Sequence, residues 1–200
     1  MAKAAITRFT ILQQAFDLIY RQGYQSTSID EIIATTNVTK GAFFYHFKNK
    51  DEMGLAIINE VMFPSMNQSF FQSLQHSADP VKDIYAMMKH LLLEDPYLKI
   101  QYGCPAGNLT QEMSPLNNEF SKALSKLVEQ WQDALKKSII AGKKAGIIRS
   151  NVDARQVAYF VMSGYWGVRT IGKLYHNKDA YRIYLKELKN YLKGLKPFEN

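Results

Sequence analysis

A single cysteine, Cys104, stands in the 200 residues, which excludes an intramolecular disulfide framework and any multi-cysteine zinc site. Six prolines and eleven glycines are few breakers for this length, and β-branched alternation is scarce. No window approaches the roughly 18 uncharged apolar residues of a membrane span, so no membrane partner is expected. The opening Met-Ala-Lys-Ala-Ala-Ile-Thr-Arg has no long apolar stretch, so no secretory signal is expected and the chain is read as cytoplasmic. His-x-x-x-His spacing is missing, which removes zincin chemistry, and the one Gly-x-x-x-x-Gly-Lys run, Gly167 to Lys173, is followed by Leu174 where a P-loop needs Ser or Thr, so P-loop chemistry has no support. No metal ligand, cofactor or catalytic residue is assigned. What is present is ordinary for a chain that buries a core: 46% hydrophobic and 22% charged residues.

The net charge of +7 makes an anionic partner plausible without locating it. Taken in fifties from the first residue, the balance is +3, −4, +3 and +5, so the basic excess is divided between the two ends.

Apolar spacing of three and four predominates and points to amphipathic helices. Ile11, Leu12, Ala15, Phe16 and Ile19 form such a stripe, with Gly23 in the place of a C-terminal cap. Ser28-Ile29-Asp30-Glu31 matches a capping box ahead of Ile32 and Ile33. Thr39 can cap a further helix running through Phe47, and Asp51 and Glu52 favour the start of a longer one. Asp79-Pro80 opens the next helix and Asp95-Pro96 ends it. A short helix follows Gly103, and a long one is expected from Ser114-Pro115 to about Gly142 or Gly146. Asp153 caps a helix reaching His176, and the last runs from Lys178 to Leu195. The expectation is an all-α chain of about nine helices.

Two short helices joined by a tight turn lie within residues 28–47, with a third helix before them. This is the arrangement of a helix-turn-helix, whose second helix enters the major groove of duplex DNA and reads base edges from its first turn. Those first-turn positions are Thr39, Lys40, Gly41 and Ala42. Lys40 is the foremost base-edge or phosphate contact, with Thr39 and Gly41 offering backbone and side-chain groups to the groove. Tyr45, His46 and Lys50 are assigned to phosphates, which position the protein without reading sequence. For His46, packing between aromatics is an equal alternative. Thr27 and Ser28, at a helix N-terminus, are assigned N–H contacts to a phosphate. Phe43, Phe47 and Phe44 are read as core.

The run Val38-Thr39-Lys40-Gly41-Ala42-Phe43-Phe44-Tyr45-His46-Phe47-Lys48-Asn49-Lys50-Asp51-Glu52-Met53, together with Gly23, Ser28 and Ile32, resembles the DNA-binding segment of TetR/AcrR-family transcriptional regulators. Phe44 stands where that family usually has tyrosine, and Ala42 where Ser or Thr is common. The resemblance implies a three-helix DNA-binding domain at residues 1–50 and a helical ligand-binding and dimerisation domain at 51–200. It further implies a homodimer on an inverted-repeat operator in double-stranded DNA, acting as a repressor or an activator, repression being the direction the family analogy favours, and released by a small-molecule effector or by modification of Cys104. Helices 153–176 and 178–195 resemble the pair that forms the family's four-helix dimer interface. Gly164, Gly167 and Gly172 would admit the close approach this needs, and a kinked pocket wall is the competing reading.

After residue 55 the chain is rich in methionine and aromatics, and Met88, Tyr102, Trp131, Tyr165 and Trp166 are candidate ligand contacts, equally suited to an ordinary core. The stretch Tyr102-Gly103-Cys104 through Leu109 and Glu112 resembles a Gly-Cys-x-x-x-x-Leu-x-x-Glu segment in a branch of TetR-like regulators that senses electrophiles or oxidants. Cys104 is therefore a candidate sensor, since a thiol at a helix N-terminus is shifted toward thiolate. Lys173 is the candidate ammonium beside it. The plain alternative is a buried cysteine acting as a small apolar side chain.

Two rival functions follow from the same residues. A thiol-dependent enzyme would pair Cys104 with His46, His76, His90 or His176, with no nucleophile motif to support it. A helical protein-interaction module would use the basic run Arg182, Lys186, Lys189, Lys193 and Lys196 against an acidic partner; a solvated charged face explains that run more simply.

Overall fold

Helices account for the regular structure of the computed structural model, which describes residues 3–75 and 77–197; no strand occurs among the described residues. In chain order they are α1 (Lys3–Gln22), α2 (Ile29–Thr35), α3 (Lys40–His46), α4 (50–75), α5 (80–94), α6 (Pro105–Met113), α7 (Asn118–Lys144), α8 (Ala154–Tyr175) and α9 (Asp179–Lys193). The all-α expectation of about nine helices holds.

Local chemistry sets most boundaries. The Ser28 hydroxyl accepts from the Glu31 N–H at 3.1 Å while the Glu31 carboxylate accepts from the Ser28 N–H at 2.7 Å, a complete capping box. Thr39 caps α3 by accepting from the Ala42 N–H at 3.2 Å. Asp79 caps α5 ahead of Pro80, and Asp153 caps α8. Gly23 ends α1 at φ +95°, a conformation that costs glycine little. The start of α7 differs from expectation. Residues 114–116 form a turn, and the cap is Asn117, whose side-chain oxygen accepts from the Glu119 N–H at 2.9 Å. Pro64 lies inside α4, where it supplies no amide hydrogen, and the preceding Ile57–Met62 widens into π geometry; a second π turn follows at Asn67–Phe71.

The chain forms two compact units, one of residues up to 65 with 105–126, the other of 66–104 with those from 127 onward. In the first, α1, α2 and α3 enclose Ile11, Leu12, Ala15, Ile32, Phe43 and Phe47, all buried. Tyr24 and Phe120 meet edge to face at 5.0 Å in the same unit. In the second, Phe70, Trp131 and Tyr165 form a mutually edge-on trio with centroids 5.0–6.0 Å apart. There α9 packs on α8 and α5, burying Tyr181, Leu185, Leu188 and Leu192. A Cβ at Gly164 would stand 2.5 Å from the Tyr184 ring, and one at Gly172 would collide with Tyr181, so these two glycines admit α9. At Gly167 a Cβ would meet nothing within 4 Å.

Candidate functional site

α3 is seated by its aromatic side. Phe43 and Phe47 are fully buried, and their rings lie 5.7 Å apart. With that side fixed, 100° of rotation per residue turns Thr39, Lys40, Gly41 and Tyr45 outward, and all four are exposed. Tyr45 is 78% exposed, and a Cβ at Gly41 would meet nothing within 4 Å. Ala42 and His46 are half-buried, the His46 ring lying between Tyr45 and Phe47 at 5.0 and 6.3 Å. Lys40 reaches the exposed Asp30 carboxylate at 3.0 Å, a surface pair weak enough to exchange for another anion. The outward side of α3 is thus a small-residue, hydroxyl- and amine-bearing edge of the kind that fits a major groove.

Three sequence readings change. Phe44, read as core, is 45% exposed. Lys50, read as a phosphate contact, donates instead to the carbonyls of Tyr24 at 3.0 Å and Thr27 at 3.1 Å, with its ammonium 4.5 Å from the Tyr24 ring centre. Thr27 is buried, its hydroxyl donating to the Gly23 carbonyl at 2.7 Å and its N–H to the Tyr24 carbonyl at 3.2 Å. The Ser28 N–H is taken by Glu31. These groups tie the α1–α2 connection together rather than facing outward; only the Ser28 side chain is exposed.

The structure adds residues that the sequence did not mark. Arg8 donates to both Glu60 carboxylate oxygens at 2.6 and 3.1 Å and to the His46 carbonyl at 3.1 Å, and lies 4.4 Å from the Phe47 ring centre. It braces the C-terminal end of α3 against α1 and α4. Glu112 accepts from the N–H groups of Tyr24 and Gln25 at 2.8 and 2.6 Å. This carboxylate clamps α6 to the chain just after α1. Tyr24 also donates its hydroxyl to Asp51 at 2.6 Å; burial first, then that contact, push the phenol far above its ordinary range. Asn117 holds the other Asp51 oxygen at 3.1 Å. Glu112 closes the Gly-Cys segment in the sequence, but its partners lie 87 and 88 residues earlier, a separation that no local pattern encodes.

In the second unit Cys104 is buried, and the cation that holds its loop is Arg169 rather than Lys173. Arg169 is 0% exposed and donates to the carbonyls of Leu98, Lys99 and Gly103. Its guanidinium lies 5.6 Å from the Tyr181 ring centre. Burial raises the Tyr181 phenol, Arg169 lowers it and Cys104 raises it, so the three share one buried neighbourhood. Lys173, four residues after Arg169, is exposed. Met88, Trp131 and Tyr165 are buried, while Tyr102 and Trp166 are half-buried. A cleft of about 570 Å³ opens elsewhere in this unit, with Asn67, Phe71, Leu74, Gln75 and Ser77 facing residues 130–141, and none of these candidates lines it.

For a thiol-dependent enzyme, His90 and His176 are exposed while Cys104 is buried, and His76 lies outside the described residues. Part of the basic run near the C-terminus is used within the fold: Arg182 pairs with Asp179 at 2.8 Å and Lys196 with Asp79 at 2.9 Å. Among the described residues no group of three or more His, Cys, Asp or Glu is placed to hold a metal, and no helix is long and apolar enough to cross a membrane.

Comparison with known proteins gives this geometry its family. Residues 11–57 match the profile described as bacterial regulatory proteins, tetR family, and residues 81–188 match tetracyclin repressor-like, C-terminal domain. An uncharacterised HTH-type transcriptional regulator from the lacX 3′ region of Lactococcus lactis subsp. lactis is 33% identical over 135 residues, covering 68% of this chain and 69% of that protein. The HTH-type transcriptional repressor DhaR of Mycobacterium sp. (strain GP1) is 25% identical over 90% of this chain and 88% of its own length. The crystal structure of a TetR-family transcriptional regulator from Cytophaga hutchinsonii superposes with a TM-score of 0.86 at 20% identity, over 100% of this chain and 99% of that one. The chain belongs to the TetR family of DNA-binding transcriptional regulators, a family of regulators and not of enzymes.

Proposed function

We propose that this protein is a cytoplasmic homodimeric repressor that places α3 of each protomer in successive major grooves of an inverted-repeat operator, and that an effector or modification of Cys104 releases it. Residues 1–50 form the DNA-binding domain of this reading, and 51–200 serve ligand binding and dimerisation. One observation carries it: α3 buries Phe43 and Phe47 while Thr39, Lys40, Gly41 and Tyr45 face solvent. Lys40 is assigned to base edges or phosphate, Thr39, Gly41 and Ala42 to the groove, and Tyr45, His46 and the Ser28 hydroxyl to phosphates. Exposed apolar side chains on α8 and α9 (Tyr159, Phe160, Ile171, Leu174, Tyr175 and Ile183) supply the surface for a second copy.

Release requires a change in the second unit to reach α3. Glu112 offers a route, because α6 follows Cys104 directly and its carboxylate fixes the backbone between α1 and α2. Modification of Cys104 adds bulk inside a loop held by Arg169 and strains that connection.

A mobility-shift assay on fragments of the gene's own promoter region, repeated across salt, tests the DNA claim. Neutralising about six phosphates gives a log–log slope near about −5. A shift that is absent or insensitive to salt contradicts the proposal.

A further inference from the structure

We propose that the cleft that Phe71, Leu74 and Ser77 line opposite residues 130–141 is a binding site for a monocarboxylate with an apolar body, such as a medium-chain fatty acid. The inference names the effector class of the proposed repressor and rests on that reading for its regulatory meaning.

Trp131 and Tyr165, two of the aromatic residues that the sequence offered as ligand contacts, pack edge-on against each other and against Phe70. Their neighbours in sequence face the other way. Phe71 and Leu74 line the cleft opposite Ala134 and Ser138 of α7. Its volume, about 570 Å³, falls within the range of small-molecule sites. One wall includes the π turn Asn67–Phe71, a backbone irregularity that recurs at functional sites.

The polar groups give the occupant its chemistry. Ser138 is 3% exposed and its hydroxyl has no hydrogen-bond partner; the buried Ser77 hydroxyl, also lining the cleft, has none either. A buried hydroxyl left unbonded costs about 1–3 kcal/mol, which an acceptor brought by a ligand would recover. The charge nearby is biased toward an anion. Asp133 is paired with Lys136 at 3.1 Å, whereas Lys137 at the rim forms no ion pair among the described residues. Two hydroxyl donors and an ammonium suit a carboxylate, and the Phe71 and Leu74 side chains suit the alkyl body attached to it.

Titration calorimetry of the full chain with octanoate, octanol and octylamine tests this. We expect one octanoate per chain, bound more tightly than octanol, with octylamine weakest. Lys137→Gln weakens octanoate about fivefold, the scale of one exposed charge contact, and Ser138→Leu, which fills the cleft, removes binding while far-UV circular dichroism stays helical. Should Ser138→Leu fail to fold, Lys137→Gln decides alone. Absence of saturable octanoate binding, or octanol binding equally well with Lys137→Gln unaltered, overturns the proposal. Octanoate that binds as expected yet leaves promoter-DNA affinity unchanged supports the site and refutes its role in release.

Discussion

Lys40 and Lys50 have the same charge and different duties. Lys50 serves the backbone carbonyls of Tyr24 and Thr27, whereas Lys40, among the described residues, pairs with the exposed Asp30. Lys50→Met leaves those carbonyls short of a donor and is expected to cost about 1–3 kcal/mol of stability, with the salt slope of DNA binding unchanged. Lys40→Ala is expected to leave the thermal midpoint in place and to lower the salt slope by about 1. Thermal unfolding and salt titration of both variants check the pair, and exchange of the two phenotypes would reverse the assignment. Nothing in the sequence separates these lysines, because the Lys50 acceptors lie 23 and 26 residues earlier and meet it only once α1, α2 and α4 have packed. Arg169 was likewise illegible: an arginine amid Val168 and Thr170 reads as solvated until three carbonyls of the 98–103 loop are brought to it.

Helix boundaries were legible where the cap is local. Ser28, Thr39, Asp79 and Asp153 each satisfy an amide two or three residues away, and short-range pattern suffices. Ser114-Pro115 misled because it has the form of a cap followed by proline, yet Asn117 wins the role while also binding Asp51, a partner 66 residues earlier. Asp79 joins local and distant chemistry. Burial alone would raise its carboxyl; the Lys196 ammonium at 2.9 Å and the Lys82 N–H overcome this, and the net shift is downward. A carboxyl depressed in the folded state contributes stability in full above its ordinary value of 3.8, and loses it as pH falls through the folded-state value. Asp79→Asn is therefore expected to destabilise the protein at neutral pH and to flatten the acid limb of its stability profile below about pH 4. Chemical denaturation at several pH values reads this, and an acid limb identical to wild type would contradict it.

The all-α class and the DNA-reading segment were visible in the whole chain's periodicity and in residues 38–53. The compact units were not, since one of them takes residues 105–126 from the middle of the sequence. The cleft was also hidden, because cavities arise from packing vectors that residue type leaves open. Dimerisation through α8 and α9 predicts that Leu174→Glu, at a side chain 72% exposed, keeps its helicity, sediments as a monomer and binds DNA weakly. A Leu174→Glu dimer with full affinity would place the interface elsewhere. The central claim, that the leading edge of α3 enters duplex grooves, is tested most directly by the affinity of Gly41→Glu for promoter DNA. Because nothing lies within 4 Å of a Cβ there, the variant folds, with a thermal midpoint equal to or above wild type. The account predicts a loss of DNA affinity of at least about tenfold, or about 1.4 kcal/mol; wild-type affinity in a folded Gly41→Glu protein would contradict it.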